Sequence, residues 1–384
     1  MQTIVHYLFL GLDYLLAIIL FGLTQAADVL PRFGETNPVI PDTPGMRMVR
    51  DMGPGWNLGS TLESFYQDDT SLHLETSWGN AVTTPEVMQT VKDAGFTCVR
   101  IPVTWGNHLI DENCTIDPAW MDRVQEVVDY AHGIGLYVIL NTHNDDYYGY
   151  IPDRAHEAQT TARHTAIWAQ IAERFKDYDE KLLFEAINEP KVVDHYFAWR
   201  GGTVSQRRVL NRLNAAFVRT VRDAGGSNAV RWLMLPTHAA SHTPLTMKAM
   251  RLPDDNRLIV SIHAYYPWEF AHGPLELGAD TYGDAEKQAL ETMLGRIYDH
   301  FVKKGIPVYM GEFGAMDKNN TEDRVRYTAD YAAIARRYGI QCAWWDNGQT
   351  VEEEYNGQSF LLLDRRELRW VYPEIVEAIT GVAV

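Results

Sequence analysis

The sequence predicts an α/β protein in which eight strands alternate with helices and close into a single (β/α)8 TIM barrel. Eight short apolar or β-branched runs recur between residues 46 and 384, with amphipathic runs of helical length between them. Strands that alternate with helices indicate parallel pairing through helical crossovers, and eight repeats favour closure over an open sheet. The chain has 384 residues, which is enough for one such barrel of about 250 residues or more.

The predicted strands are rich in Val, Ile, Leu and aromatic residues, which suit a buried, pleated surface. In chain order they are Gly55–Gly59, Cys98–Val103, Tyr137–Thr142, Leu182–Ile187, Trp232–Pro236, Leu258–His263, Val308–Gly311 and Cys342–Trp345.

Two of the predicted helices begin with a clear cap. Thr84 and Asp117 each stand before a proline, so a capping side chain precedes a residue whose φ already suits the first helical turn. The other amphipathic runs cover residues 160–176, 205–224, 284–304, 322–338 and Tyr372–Ile379.

A leader and an arm are predicted before the barrel. Residues 4–23 are apolar except for His6 and Asp13, and small residues follow at Ala26 and Ala27, which is typical of a secretory signal over residues 1–26. The stretch has no Lys or Arg before it, and an uncleaved membrane anchor is the alternative, because about twenty apolar residues can cross a bilayer. Residues 27–45 predict a linker or arm, and residues 46–384 form the barrel domain.

The overall composition restricts the kind of ligand. A formal net charge of −17 argues against a nucleic acid partner, because binding to phosphates depends on clustered Lys and Arg. The charge is compatible with a neutral ligand. The three cysteines, Cys98, Cys114 and Cys342, lack the Cys or His spacing of a zinc site, so we expect no metal site.

Two glutamates stand just after predicted strands: Glu189 after strand four and Glu312 after strand seven. The carboxyl ends of barrel strands carry the active site in this architecture, and strands three apart face each other across the barrel mouth. Paired carboxylates there are typical of glycosidases, with about 5–5.5 Å between them for retention and about 6.5–9.5 Å for inversion. For a general acid, we expect burial and the second carboxylate to raise the pKa of Glu189.

Three polar residues stand near other strand ends. Arg100 lies within an apolar strand, where an unpaired charge is costly, and we expect it to hold the nucleophilic carboxylate ionised. We expect His143 to bind a sugar hydroxyl, and Asn188 can donate to the sugar 2-hydroxyl. A structural role is the alternative for Arg100 and for His143.

The ends of strands six and eight add three aromatic candidates. His263 and Tyr265 share a face if the strand continues, so Tyr265 is predicted to contact the nucleophile and His263 the acid. One of the adjacent Trp344 and Trp345 should face the mouth, and we expect Trp345 to form the floor beneath the sugar at the cleavage point.

Eight motifs in this order resemble glycoside hydrolase family 5, the former cellulase family A, over most of the chain from about Met46 onwards. The pattern is most similar to the subfamily of endo-β-1,4-glucanases, lichenases and xyloglucanases. The motifs are Gly55–Gly59, Glu75–Asn80, Val99–Trp105, Asn141–His143, Ala186–Pro190, His263–Pro267, Gly311–Gly314 and Trp344–Gly348.

The resemblance implies a retaining double displacement on β-1,4-glucans, with Glu189 as acid/base and Glu312 as nucleophile, and without a metal or organic cofactor. It also implies that Asn57 and Trp78 lie along the glycone side of the cleft. The residues that it places in the cleavage subsite are Arg100, His143, Asn188, His263, Tyr265 and Trp345.

Two departures concern the choice of substrate. Asn144 stands where relatives often have a second histidine, and Ser60 stands where they usually have asparagine. A mannanase, a xylanase or an exo-β-glucosidase is therefore the alternative within retaining barrels. Outside that class, a polysaccharide-binding barrel without catalysis and a metal-dependent hydrolase are less well supported, since both glutamates are present and strand one lacks a His-x-His pattern. We expect a secreted monomer that has a β-glucan substrate and no appended carbohydrate-binding module or dockerin.

Overall fold

The computed structural model describes residues 37–66, 69–274, 279–350 and 357–384. The predicted signal peptide or anchor and most of the predicted arm lie outside the described residues. Within these ranges, no helix combines the length and the apolar character needed to cross a membrane.

Eight parallel strands pair in chain order, and the eighth pairs with the first, so the sheet closes into a barrel. The predicted fold class is confirmed. The strands are β1 Gly55–Leu58, β2 Cys98–Ile101, β3 Tyr137–Asn141, β4 Leu182–Glu185, β5 Leu233–Ser241, β6 Leu258–His263, β7 Val308–Phe313 and β8 Gln341–Asp346.

The described residues contain ten α-helices before, between and after the strands, and the amphipathic runs predict seven of them. The ten helices are α1 Pro44–Met52, α2 Pro85–Asp93, α3 Pro118–Gly133, α4 Glu157–Arg174, α5 Val204–Asp223, α6 Pro244–Ala249, α7 Trp268–Ala271, α8 Asp284–His300, α9 Thr321–Arg337 and α10 Pro373–Thr380. Asp117 caps α3 through the backbone N–H of Ala119 at 2.8 Å, whereas Thr84 occupies the cap position of α2 without a side-chain bond. A short antiparallel pair, β9 Leu363–Asp364 and β10 Arg369–Trp370, follows β8.

Helix α1 begins at the end of the stretch predicted to be a linker or arm. Thr43 caps it by accepting a hydrogen bond from the N–H of Met46 at 3.2 Å. Its buried side chains, among them Val49 and Met52, pack against residues from the barrel interior such as Tyr309. The helix therefore closes the amino-terminal end of the barrel, opposite the mouth.

Two strand ends differ from the prediction in ways that affect the mouth. Strand β4 ends at Glu185, so Glu189 lies on the loop, four residues beyond the strand. Strand β5 runs to Ser241 and carries Ala239 and Ala240 at positive φ, 52° and 48°. The N–H of Ala239 donates to the carbonyl of Pro190 at 3.0 Å, which attaches the loop after Glu189 to this irregular strand end.

Candidate active site

Arg100 organises the floor of the barrel mouth. Its guanidinium is fully buried and donates to Glu185 Oε2 at 2.8 Å, Glu312 Oε1 at 2.8 Å and Asn188 Oδ1 at 2.7 Å. Burial lowers the pKa of Arg100, but the two carboxylates raise it further, so the pKa lies above its usual value. The arginine therefore stays charged. It holds together Glu185 of β4, Asn188 of the loop after β4 and Glu312 of β7.

Glu312 lies within β7 and has a partner on each carboxylate oxygen. Oε1 accepts from Arg100, and Oε2 accepts from the Tyr265 hydroxyl at 2.9 Å. Burial and the charge of Glu312 raise the pKa of Tyr265 well above its usual value, so the phenol keeps its proton and remains a donor. Glu312 is thus held in one orientation, with its oxygens at the mouth.

Glu189 is held more loosely. Its Oε1 lies 3.1 Å from His263 Nδ1, and its Oε2 lies 3.8 Å from Lys191 Nζ. Burial raises the pKa of Glu189, but the hydrogen bond from His263 and the positive charges of Lys191 and Arg100 outweigh burial and hold that pKa below its usual value. This direction is opposite to the expected rise, and the sequence analysis did not anticipate the charge of Lys191 beside the carboxylate.

The two carboxylates approach each other closely. One carboxylate oxygen of Glu189, one of Glu312 and a ring nitrogen of His263 lie within 4.8 Å of one another. This close approach is compatible with a retaining pair, whose carboxyl groups lie about 5–5.5 Å apart, and is shorter than the about 6.5–9.5 Å between the groups of an inverting pair. A Cβ at Gly311 would lie only 2.9 Å from His263 Nε2, so the glycine makes room for the ring that connects the pair.

His143 and Trp345 form an aromatic wall beside the carboxylates. Their rings stack at 5.7 Å with an interplanar angle of 11°. Burial, followed by the charges of Arg100, His263 and Lys191, lowers the pKa of His143 well below its usual value, so the ring stays neutral. Trp345 is half-buried, whereas Trp344 is fully buried and donates to the carbonyl of Phe360.

The remaining predicted residues occupy different positions. Asn57 is fully buried, with its amide bonded to Arg100, Gly311 and Trp344, so it supports the arginine instead of lying along the glycone side. Trp78 is half-buried at 5.6 Å from the ring of Phe65, and none of its described contacts reaches the glutamates. Asn188 commits its amide oxygen to Arg100, which leaves its NH2 group as a donor.

Sequence reasoning missed a third carboxylate below the site. Glu185 is fully buried and accepts from Arg100, from Asn141 Nδ2 at 3.0 Å and from Ser261 Oγ at 2.5 Å. Glu185 is therefore the second carboxylate, besides Glu312, that forms an ion pair with Arg100. The signal was present, since Glu185 is a charged residue inside an apolar strand, the same pattern that singled out Arg100.

A charged pair on the open side of Glu189 was also missed. Lys191 Nζ lies 3.4 Å from Asp146 Oδ2, and both side chains are about nine-tenths buried. The two residues come from loops that follow β4 and β3, and neither loop has a periodicity that indicates their contact.

A closed parallel barrel whose mouth holds two facing glutamates, an arginine and a half-buried tryptophan defines a glycoside hydrolase. A model of the cellulase family, described as glycosyl hydrolase family 5, matches residues 63–351. The chain belongs to this family, and the resemblance of its motifs is confirmed.

Individual relatives agree with this assignment. The chain is 44% identical over 352 residues to Endoglucanase 1 of Ruminococcus albus, which covers 91% of this chain and 84% of that protein. A solved family 5 lichenase from a Caldicellulosiruptor species, in complex with cellotetraose, matches with a TM-score of 0.87 and 39% identity over 92% of this chain and 99% of that chain. A xyloglucan-specific endo-β-1,4-glucanase from a metagenomic library, in complex with cellotriose, matches with a TM-score of 0.83 and 39% identity over 88% and 99%.

Proposed function

We propose that this protein is a retaining endo-β-1,4-glucanase that cleaves β-glucan chains by double displacement, with mixed-linkage glucan and xyloglucan as related substrates. The observation that carries the proposal is the separation of the Glu189 and Glu312 oxygens within 4.8 Å. The relatives named above include an endoglucanase, a lichenase and a xyloglucanase, which supports a β-glucan as the substrate class.

In the first step, Glu312 attacks the anomeric carbon of the sugar at the cleavage point. Glu189 donates its proton to the glycosidic oxygen as the carbon–oxygen bond breaks, and the aglycone leaves as an alcohol. Arg100 and Tyr265 orient the nucleophile through its two oxygens. The product is a glycosyl ester on Glu312.

In the second step, the roles reverse. Glu189, now ionised, takes a proton from a water molecule, and the resulting hydroxyl attacks the anomeric carbon and releases Glu312 as a carboxylate. Proton and charge balance over the two steps, because Glu189 ends protonated as it began. No oxidant or reductant takes part.

The lowered pKa of Glu189 suits the second step more than the first. A glucan chain in the mouth displaces water from around the carboxyl group, which strengthens the contribution of burial and raises the pKa towards the value an acid requires. Substrate binding therefore supports protonation of Glu189 when the first step needs it.

Aromatic side chains on loops around the mouth favour an extended ligand. They are well exposed, which is unusual for large rings, and they come from loops after β1, β3, β4 and β6. Rings on several sides of the cleavage point suit an endo-acting enzyme, which binds sugars on both sides of the bond it cuts. The residues are Tyr66, Tyr147, Tyr196, Trp199 and Trp268.

The test is digestion of soluble β-glucan, carboxymethylcellulose, xyloglucan, xylan and glucomannan, with the products sized by chromatography. A ladder of oligosaccharides from a glucan supports endo attack, and the rates rank the substrates. A ladder from xylan or glucomannan alone would move the specificity to a xylanase or mannanase, and release of glucose alone would indicate an exo-β-glucosidase. Proton NMR of the first product resolves the mechanism: an initial β-anomer supports retention, whereas an α-anomer would refute it.

We also infer that the protein acts outside the cell as a monomer. A glucan polymer does not cross a membrane, and the apolar residues 4–23 have the character of a secretory signal. The N-terminal sequence of the exported protein would distinguish cleavage near Ala26 from retention of an anchor. Light scattering would measure the molar mass in solution, and a mass of two or more chains would contradict the monomer.

A further inference from the structure

The two oxygens of Glu189 have different surroundings. His263 Nδ1 lies 3.1 Å from Oε1, whereas Lys191 Nζ lies 3.8 Å from Oε2. If Glu189 is the acid/base, as the proposed function requires, Oε2 is the oxygen left to carry the proton to the glycosidic oxygen. Lys191 therefore lies beside the atom at which proton transfer takes place.

Lys191 is held in this position from several sides. Its Nζ donates to the carbonyl of Glu189 at 3.2 Å and to Asp146 Oδ2 at 3.4 Å, and it lies 4.3 Å from the centroid of the Trp199 ring. Only 10% of its side chain is exposed. A lysine on the surface keeps its charge in water and moves freely, whereas this ammonium is a fixed charge in a partly water-excluded site.

Asp146 opposes the effect of Lys191. Burial raises the pKa of Asp146, the ammonium of Lys191 lowers it and the charge of Glu189 raises it, with a net rise. Because the interaction between two carboxylates is mutual, Asp146 also favours the protonated form of Glu189. The acid thus has one group of each sign on its open side.

We propose that Lys191 and Asp146 are positioning residues for the acid/base, and that this charged pair sets the pH range over which Glu189 holds its proton. Lys191 favours the carboxylate needed to activate water. Asp146 limits this effect, so that enough of the acid form remains for the first step.

Other charged or titratable groups also face the pair. The neighbours of Glu189 come from β2, β7, the end of β6 with the loop that follows it, and the residue after α7. Lys191 also faces two histidines, one just after β3 and one within β5. All of them remain in variants of Lys191 and Asp146, so a difference from the wild type reports the pair itself. These groups are Arg100, Glu312, His263, Tyr265 and His272 around Glu189, His143 and His238 around Lys191, and Asp145 and Tyr150 around Asp146.

The experiment measures kcat/KM against pH on soluble β-glucan. Lys191→Met should move the basic limb of the profile up by about one pH unit, since a cation within about 4–6 Å lowers a carboxyl pKa by about 1–3 units. Asp146→Asn should move it down by a smaller amount. Lys191→Arg, which keeps the charge, should remain close to the wild type.

A second substrate separates the proton-transfer effect from general damage. Dinitrophenyl β-cellobioside has a leaving group that departs without a proton, so its kcat/KM should show neither shift. Lys181→Met is the matched control, because Lys181 also donates to a carbonyl, that of Gly135 at 2.8 Å, and lies 5.5 Å from the Tyr137 ring, but at the amino-terminal end of β4. Its pH profile should equal that of the wild type.

Shifts of Lys191→Met and Asp146→Asn in the same direction, or no shift in either active variant, would overturn the proposal. If Lys191→Met does not fold, as judged by circular dichroism, Asp146→Asn decides alone, and absence of a downward shift overturns the proposal. Failure of the proposed function gives a separate result: the wild type would lack a basic limb on β-glucan, or Glu189→Ala would hydrolyse it as fast as the wild type.

Discussion

The two glutamates of the barrel mouth are held in opposite ways. Glu312 lies inside β7, and both its oxygens have partners on rigid neighbours. Glu189 lies on a loop, and within the described part of the chain its Oε2 accepts no hydrogen bond and lies 3.8 Å from Lys191 Nζ. A nucleophile needs one fixed line of attack, whereas an acid/base must exchange a proton with two different partners. The scaffold therefore provides rigidity for the first role and an open oxygen for the second.

Removal of the nucleophile is the strongest test of this difference. Glu312→Gln should reduce turnover of β-glucan by roughly 10⁶-fold, the scale seen when an enzyme loses its nucleophile, because an amide cannot form the glycosyl ester. Initial rates and calorimetric titration with cellotetraose would measure turnover and binding. Binding should persist. A reduction in turnover much smaller than this would refute the role of Glu312.

The loss from Glu189→Ala should depend on the leaving group. On β-glucan, the first step should slow by about 10²–10⁴-fold, the usual contribution of a general acid. For dinitrophenyl β-cellobioside, kcat/KM should change far less, because the phenolate leaves unaided. Rates on the two substrates would be compared, and an equal loss on both would count against an acid role.

Arg100→Met should destabilise the fold as well as the site. It leaves Glu185 and Glu312 as buried carboxylates without their cation, and breaking a buried ion pair from one side costs about 3–5 kcal/mol. Arg174→Met is the control, since Arg174 pairs with Asp122 on the surface, where a pair contributes about 0–1 kcal/mol. Urea unfolding of both variants would measure the difference, and equal costs would show that Arg100 is not central to the floor.

Tyr265→Phe should weaken only the orientation of the nucleophile. A hydrogen bond to a charged group contributes about 1.5–3 kcal/mol, so kcat/KM should fall by roughly 10–100-fold. Tyr282→Phe removes a similar bond, from its hydroxyl to Asp330 Oδ2 at 3.2 Å, but away from the mouth, and should leave the rate unchanged. The same loss in both variants would assign Tyr265 a structural role.

The smallest effect is expected at Ser60, outside the networks of both glutamates. Ser60 is buried with φ of 55°, in the left-handed region that serine disfavours and asparagine tolerates. Ser60→Gly should raise the free energy of unfolding by about 0.5–1 kcal/mol, since relief of the strain exceeds the added chain entropy. Urea unfolding would measure the gain, and a loss would show that the serine hydroxyl matters more than φ.

Much of the barrel follows from local patterns. Apolar runs predict all eight strands because a parallel barrel buries both faces of each strand. Helix α1 was missed although Thr43 and Pro44 repeat the cap-plus-proline signal that identified α2 and α3, since the stretch before it is rich in Pro, Gly, Asn and Thr and has no hydrophobic periodicity. The Thr43–Pro44 pair was enough to predict the start of a helix, and the interpretation of residues 44 and 45 as part of a linker or arm was wrong.

The site was less predictable where loops determine it. Residues at strand ends, such as Glu312, follow from strand geometry. The position of Glu189 depends instead on how far β4 extends and on the bend at Ala239, and the contact of Lys191 with Asp146 joins two loops 45 residues apart. Loop conformations depend on tertiary contacts that have no period in the sequence, so neither arrangement was available from patterns alone.

Helix α1 has a further consequence for how the protein can be presented to its surroundings. It seals the base of the barrel, and the hydroxyl of its cap residue Thr43 donates to the carbonyl of Gly305, just before β7. The described chain thus begins on the side of the molecule away from the mouth. Immobilisation on a bead, or fusion to a surface protein, through residues directly before α1 should therefore point the cleft outward, where long insoluble fibres can enter without steric hindrance from the support.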